Sequence, residues 1–222
     1  MSMNPWSMFT RTPALDTSAY SGGTLAPEIF AQTPTQTLQR FQASGMTPVE
    51  LSWRRVAGEP VVVARDAAGS SRVLFATGPV AQRLPEPLLA RAVERVWPQG
   101  REQEWLSHYD FYYYARSEHS MLGHLAKPLP VLRVRFDDPA QIWLHIAPRS
   151  GVILSQTGSA GRLSRVLFSL LHSWDWLPLL QNRPLWDGLM IAFSIAGLLI
   201  SLTGTVMAWR RLRRNKGWRV RR

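Results

Sequence analysis

Three patterns of apolar and polar residues follow one another along this chain. From about residue 35 to 158, short apolar runs alternate with breaks rich in Gly, Pro and Asp. Arg162–Leu180 then carries apolar residues at helical spacing, and Gly188–Trp209 runs for twenty-two residues without a charge. The first pattern predicts a helix over Thr35–Ser44, with Leu38 and Phe41 on one side and Gly45 as its stop. Strands are expected at Val49–Val56, Val61–Arg65 and Arg72–Ala76, separated by turns at Ala57–Pro60 and Asp66–Ser70. Pro85–Trp97 is the clearest soluble helix. Leu88, Leu89, Ala92, Val93, Val96 and Trp97 form its apolar stripe opposite Arg91, Glu94 and Arg95. The aromatic-dense run Glu104–Ala115 reads as strand. Val131–Phe136, where valines alternate with Arg133 and Arg135, reads as a half-buried strand, followed by strands at Gln141–Ile146 and Val152–Leu154.

Two of these stretches repeat at an offset of about seventy residues, the kind of self-similarity that fixes architecture early. Pro60-Val-Val-Val-Ala-Arg, a turn, Arg72-Val-Leu-Phe-Ala and Gly78-Pro-Val answer Pro130-Val-Leu-Arg-Val-Arg, a turn, Ile142-Trp-Leu-His-Ile and Gly151-Val-Ile. Each copy follows one helix. The expected fold class is therefore α+β: two units, each a helix packed on a small antiparallel sheet.

Such a unit, closing on Thr77-Gly78 or Ser150-Gly151, resembles the PepSY module. The second half carries more of the resemblance, in Tyr109-Asp-Phe-Tyr-Tyr-Tyr, Pro128-Leu-Pro-Val-Leu-Arg-Val-Arg-Phe-Asp-Asp-Pro, Leu171-His-Ser-Trp-Asp-Trp, Arg183-Pro-Leu-Trp-Asp and Trp209-Arg-Arg-Leu-Arg-Arg. These runs are similar to PepSY-associated bacterial membrane proteins of the iron-regulated type. The expected division is an extended segment over 1–34, PepSY-like units over 35–84 and 85–158, an interfacial amphipathic helix over 162–180, a transmembrane helix over 185–209 and a basic cytoplasmic tail over 210–222. The resemblance implies a periplasm-facing binding or accessory domain in an iron-acquisition or envelope system. Two alternatives stand beside it: a haem-ligating subunit of a ferric-siderophore reductase, and an inhibitor of a periplasmic peptidase.

Charge sets the frame for the last pattern. Of 26 basic residues, eight fall in Arg210–Arg222, which holds no acid; the remaining 18 face 15 acids, so the net charge of +11 for the whole chain becomes +3 over residues 1–209. A nucleic-acid partner is declined on that ground, since the excess sits beside an apolar helix. Twenty-two helical residues span about 33 Å, enough for a hydrocarbon core of about 30 Å. The bias of basic residues toward the cytoplasm makes Arg210, Arg211, Arg213 and Arg214 the topology signal. The expected location is the inner membrane, single-pass, with the N-terminal domain periplasmic and the C-terminus cytoplasmic. Residues 1–30 contain no apolar signal-peptide core. Three readings answer that tension: a reverse anchor, an inverted topology, or the lack of an upstream membrane helix that the resembling proteins carry.

Candidate chemistry is sparse. The chain has no cysteine, which excludes disulfides, thiolate metal sites and thiol catalysis. Phosphate-binding Gly-x-Gly loops, Gly-x-Ser-x-Gly and His-Glu-x-x-His are absent, so the residues offer no self-contained catalytic motif and a non-enzymatic role is favoured. His172 lies in the apolar, Trp-flanked stretch before the span. Through its Leu-His motif the resemblance makes it a candidate ligand of haem b; the alternative is a structural histidine hydrogen-bonded near Asp175. His108, His119, His124 and His145 show no metal-type spacing, and His145 reads as a surface or sheet residue. Asp110 stands before an aromatic run without a second carboxylate, and Asp137-Asp138-Pro139 is turn chemistry. Gly197, Ser201 and Thr205 fall at i, i+4 and i+8 of the span, a candidate face for packing against other membrane helices. The expected partners are the lipid bilayer and such helices.

Overall fold

The computed structural model describes residues 16–99, 101–115, 127–170, 178–179 and 182–219. The chain divides into two compact units, the first ending at His172 and the second running from Ser173. The architecture is α+β, with two small antiparallel sheets in the first unit and one long apolar helix in the second.

The first unit opens with a strap: a helical turn, α1 (Ser18–Ser21), and a 3-10 turn at Pro27–Ile29. Helix α2 (Pro34–Ala43) follows. Thr33 caps it reciprocally with Gln36, and Pro34 occupies the first turn, where a missing N–H costs nothing. Gly45, at φ +77°, ends it as the sequence predicts. Strands β1 (Pro48–Val56), β2 (Glu59–Asp66) and β3 (Ser71–Phe75) form a meander in that order. The β1–β2 turn is tighter than the expected four residues. Ala57 and Gly58 alone make it, both at positive φ, so Pro60 belongs to β2.

The unbroken apolar run of β2 is explained by burial on both faces. Val62 and Ala64 pack with Leu74, Phe41 and Met46 on the α2 side. Val61 and Val63, with Val73, face the main core. Helix α3 (Glu86–Val96) buries Leu88, Leu89, Ala92 and Val93 in that core. Strands β4 (Arg101–Leu106), β5 (Val131–Phe136), β6 (Trp143–Ile146) and β7 (Ile153–Thr157) form the second sheet in sequence order. Leu132, Val134, Phe136, Leu144 and Ile146 give its inner face to the same core. Both meanders thus feed one apolar interior. Gly151 lets them close together. At φ +67°, a Cβ there would stand 2.7 Å from Leu84 Cδ1 and 3.0 Å from Val56 Cγ2.

Three expectations are corrected. Residues 107–115 are a bent loop, since the Asp110 carboxylate accepts the backbone N–H groups of Tyr112 and Tyr113 and folds the aromatic run back on itself. The predicted helix over 162–180 begins earlier, as α4 (Ser159–Ser164), and passes into a π-helical stretch at Arg165–Leu170; residues 171–177 lie outside the described residues. Helix α5 (Arg183–Arg219) does not stop at Trp209: it runs on through the basic tail, in keeping with the strong helix propensity of arginine. Of its length, Pro184–Arg213 is long and apolar enough to cross a membrane, with a mean hydropathy of 2.1 over its apolar window and none of that window buried.

Candidate functional site

The outer face of the second sheet concentrates the polar chemistry of the first unit. Register explains how. Glu104 on β4 stands opposite Arg133 on β5, which stands opposite His145 on β6, which stands opposite Ser155 on β7. A second row runs Glu102, Arg135, Trp143 and Thr157. Strand β5, where valines alternate with Arg133 and Arg135, is expected from the sequence to be half-buried. Instead Arg133 is 2 % exposed, because the 107–115 loop folds over it. His145 is equally buried, as a sheet residue and not a surface one.

Arg133 is compensated from three sides. Its Nη2 lies 2.6 Å from Asp110 Oδ2, its Nη1 lies 3.6 Å from Glu104 Oε2, and its Nε donates to His145 Nε2 at 2.9 Å. The last bond fixes the histidine. A guanidinium always donates, so Nε2 must be the bare nitrogen, and Nδ1–H then donates to Ser155 Oγ at 3.0 Å. Tyr113 stacks on the imidazole with ring centroids 4.8 Å apart and donates its hydroxyl to Pro128 O. Burial, then the charges of Arg133 and Lys127, push the imidazole down to a pKa of about 3, against a smaller opposing effect of Asp110. Burial likewise pushes the Tyr113 hydroxyl upward. Both groups are therefore neutral across the physiological range.

Beside this row, Trp143 gathers three guanidinium groups: Arg162 at 4.3 Å from the ring centroid, Arg135 at 4.9 Å and Arg133 at 5.0 Å, with Tyr112 edge-on at 5.1 Å. Arg135 is paired with Glu102 and Glu104. Arg162 donates to Gln141 O and Thr157 O, and Arg165 donates to Phe111 O while lying over Tyr114 and Phe111.

Ser155, His145, Arg133 and Asp110 make a connected chain that superficially resembles a catalytic triad. Its polarity is the reverse of one. In a triad the imidazole accepts the serine proton and donates to the carboxylate. Here the imidazole donates to Ser155, and Arg133 stands where the carboxylate would be. With Nε2 accepting from Arg133 and Nδ1–H donating to Ser155, this imidazole has no free lone pair with which to take the Ser155 proton or bind a metal in this arrangement. This chain of contacts holds the sheet face and its covering loop together.

The other expected residues are scattered. His172, His119 and His124 lie outside the described residues. His108 is exposed and contacts Ser107 Oγ through Nδ1. Among the described residues no group of three or more His, Asp or Glu could hold a metal ion. Asp138 behaves as turn chemistry, accepting the N–H groups of Ala140 and Ile142. In α5 the hydroxyl of Thr205 donates to Ser201 O within its own helix, and nothing lies within 4 Å of a Cβ added at Gly197, on the same small-residue face. Arg210, Arg211 and Arg213 follow the uncharged run, with Arg213 over the Trp209 ring; the Arg214 side chain lies outside the described residues. Sequence reasoning missed Arg133, Asp110 and Trp143 as a unit, because nothing local in the sequence gives the four-strand register. No protein-family model, curated protein or solved structure matches this chain.

Proposed function

We propose that this chain is a membrane-anchored PepSY-type accessory protein that acts by binding, with its two-sheet unit in the bacterial periplasm and its C-terminus in the cytoplasm. The observation that carries the reading is the order of parts: helix and antiparallel meander, helix and antiparallel meander, then one helix fit to span a bilayer. The repeat and the quoted sequence runs support the family. The acid-free run that holds Arg210, Arg211, Arg213 and Arg214 supports the orientation. The use of His145 and Ser155 for cohesion favours binding over catalysis at that face.

Its setting is iron acquisition or a related envelope system, joined to other membrane helices. Reporters active on only one side of the membrane, fused to each terminus, test the topology: an exported reporter active at the C-terminus overturns the orientation. Growth of a deletion strain on a ferric siderophore as sole iron source tests the setting, and unaltered growth overturns the iron assignment.

A further inference from the structure

A groove of about 300 Å³ lies in the first unit between the strap, the edge strand β1 and the Gly151–Ile153 run. Leu25, Val152 and Ile153 give it apolar walls, and Arg54 and Arg55 give it positive charge, with no carboxylate among its lining residues. Arg55 is already committed, donating to Thr24 O and Gly58 O. Arg54 is not: its Nε is buried without a hydrogen-bond partner, and it makes no ion pair among the described residues. The Tyr20 hydroxyl is in the same condition. Tyr20 is 5 % exposed, its hydroxyl has no partner, and it would stand 3.7 Å from a Cβ on Gly151. Two buried polar groups left unsatisfied beside an open groove cost about 1–3 kcal/mol each unless something reaches them.

Backbone chemistry points the same way. The two-residue turn at Ala57-Gly58 makes Val56 and Glu59 a hydrogen-bonded pair, so β1 bonds to β2 through Glu50, Ser52, Arg54 and Val56. The N–H and C=O groups of Leu51, Trp53 and Arg55 consequently face the open edge of the sheet. Among the described residues, the strap's backbone hydrogen bonds to this hairpin lie at the turn beyond them, Ala57 N–H to Tyr20 O and Gly58 N–H to Ser21 O. An edge left unpaired among the described residues, beside a cationic, partly apolar groove, is the geometry of strand addition.

We infer that β1 and this groove dock an extended peptide that carries a carboxylate next to an apolar side chain. The peptide pairs with Trp53 and Arg55, its carboxylate meets Arg54, and its apolar side chain lies among Leu25, Val152 and Ile153. This gives the binding role proposed above a class of partner. It rests on geometry inside the first unit, so a failed topology or iron experiment leaves it standing.

The test uses the full chain in detergent micelles and a fluorescein-labelled hexapeptide, Thr-Val-Thr-Val-Glu-Leu, read by anisotropy. Saturable binding is expected, weakened about tenfold by Arg54→Gln and by amidating the peptide with Glu replaced by Gln, as for loss of one charge-assisted hydrogen bond. Near-UV circular dichroism checks that the variant is folded. With the unmodified protein, a peptide N-methylated at alternate residues is expected not to bind, and the Trp53 and Arg55 amides gain hydrogen-exchange protection on binding of the parent peptide. Unchanged anisotropy to millimolar peptide overturns the proposal, as does binding indifferent to Arg54→Gln. Competition by hexanoate as strong as that of the peptide, with no protection along β1, assigns the groove to a small carboxylate and overturns the peptide reading.

Discussion

His145 makes the folded unit sensitive to acid in a calculable way. An unfolded histidine titrates near 6.5, and the folded imidazole, buried and facing Arg133, is held at about 3. Between those values the unfolded chain binds a proton that the folded chain refuses, so stability rises with pH and falls as pH drops below about 6.5. At about pH 4.5 the two units of protonation penalty correspond to roughly 2.7 kcal/mol, and the loss is complete only near pH 3. The measurement is guanidinium unfolding in micelles, followed by tryptophan fluorescence at pH 7 and pH 4.5. Carboxylates also titrate in this interval, so the comparison is with His145→Gln. Its amide can accept from Arg133 and donate to Ser155 but has no proton to gain. The parent is expected to lose about 2–3 kcal/mol more than the variant between the two pH values. Equal losses, within about 0.5 kcal/mol, refute the buried neutral imidazole and the arginine bond that defines its tautomer.

Other perturbations have outcomes of known direction. Gly151→Ala places a methyl group against Leu84 and Val56 at positive φ, and is expected to cost about 1–3 kcal/mol in thermal or denaturant unfolding. Thr33→Ala removes one half of the α2 capping box and is expected to cost about 1 kcal/mol, with faster hydrogen exchange in the first turn of Pro34–Ala43. Leu199→Arg, in the middle of the apolar helix, carries an insertion penalty of about 2.5–3.5 kcal/mol. It is expected to move the protein from the carbonate-resistant membrane fraction toward the soluble one.

The parts legible in the sequence were those whose signal is local. The stripe of Pro85–Trp97 became α3 with Leu88, Leu89, Ala92 and Val93 inside. The uncharged run became a helix fit to span a membrane. The continuous apolar stretch Val61–Ala64 became a strand buried on both faces, although periodicity alone does not separate that from a short buried helix. Failures came where distant residues decide the outcome. Tyr109–Tyr114 has strong strand propensity, yet the single Asp110 carboxylate captures two backbone N–H groups and turns the run into a loop. Arg133 and Arg135 alternate with valines like a solvated face. Arg133 is covered because that loop, about twenty residues earlier in the chain, returns over it. The groove beside β1 was invisible, since its walls come from the strap, one strand and a turn almost a hundred residues further on.

The covered face also explains why so much positive charge is tolerated in one place. Arg133, Arg135, Arg162 and Arg165 stand against Glu102, Glu104 and Asp110, and burying a guanidinium costs several kcal/mol unless its donors are met. Arg133 and Arg135 meet carboxylates and Arg162 and Arg165 meet backbone carbonyls, although Arg133 Nη2, Arg135 Nε and Arg165 Nη2 are left without a well-formed hydrogen bond. The aromatic rings spread the remaining charge. Trp143 takes three cations around one indole, and Phe111 and Tyr114 share Arg165. Arg162 and Arg165 both belong to the helical stretch that follows β7, so these contacts tie its first turns to the sheet through Trp143 and the 107–115 loop. Loss of Trp143 would therefore loosen the sheet face, its covering loop and the start of that helix together. A surface salt bridge contributes little and can be lost alone. This cluster is built around one buried arginine, so its contacts are coupled and not independent.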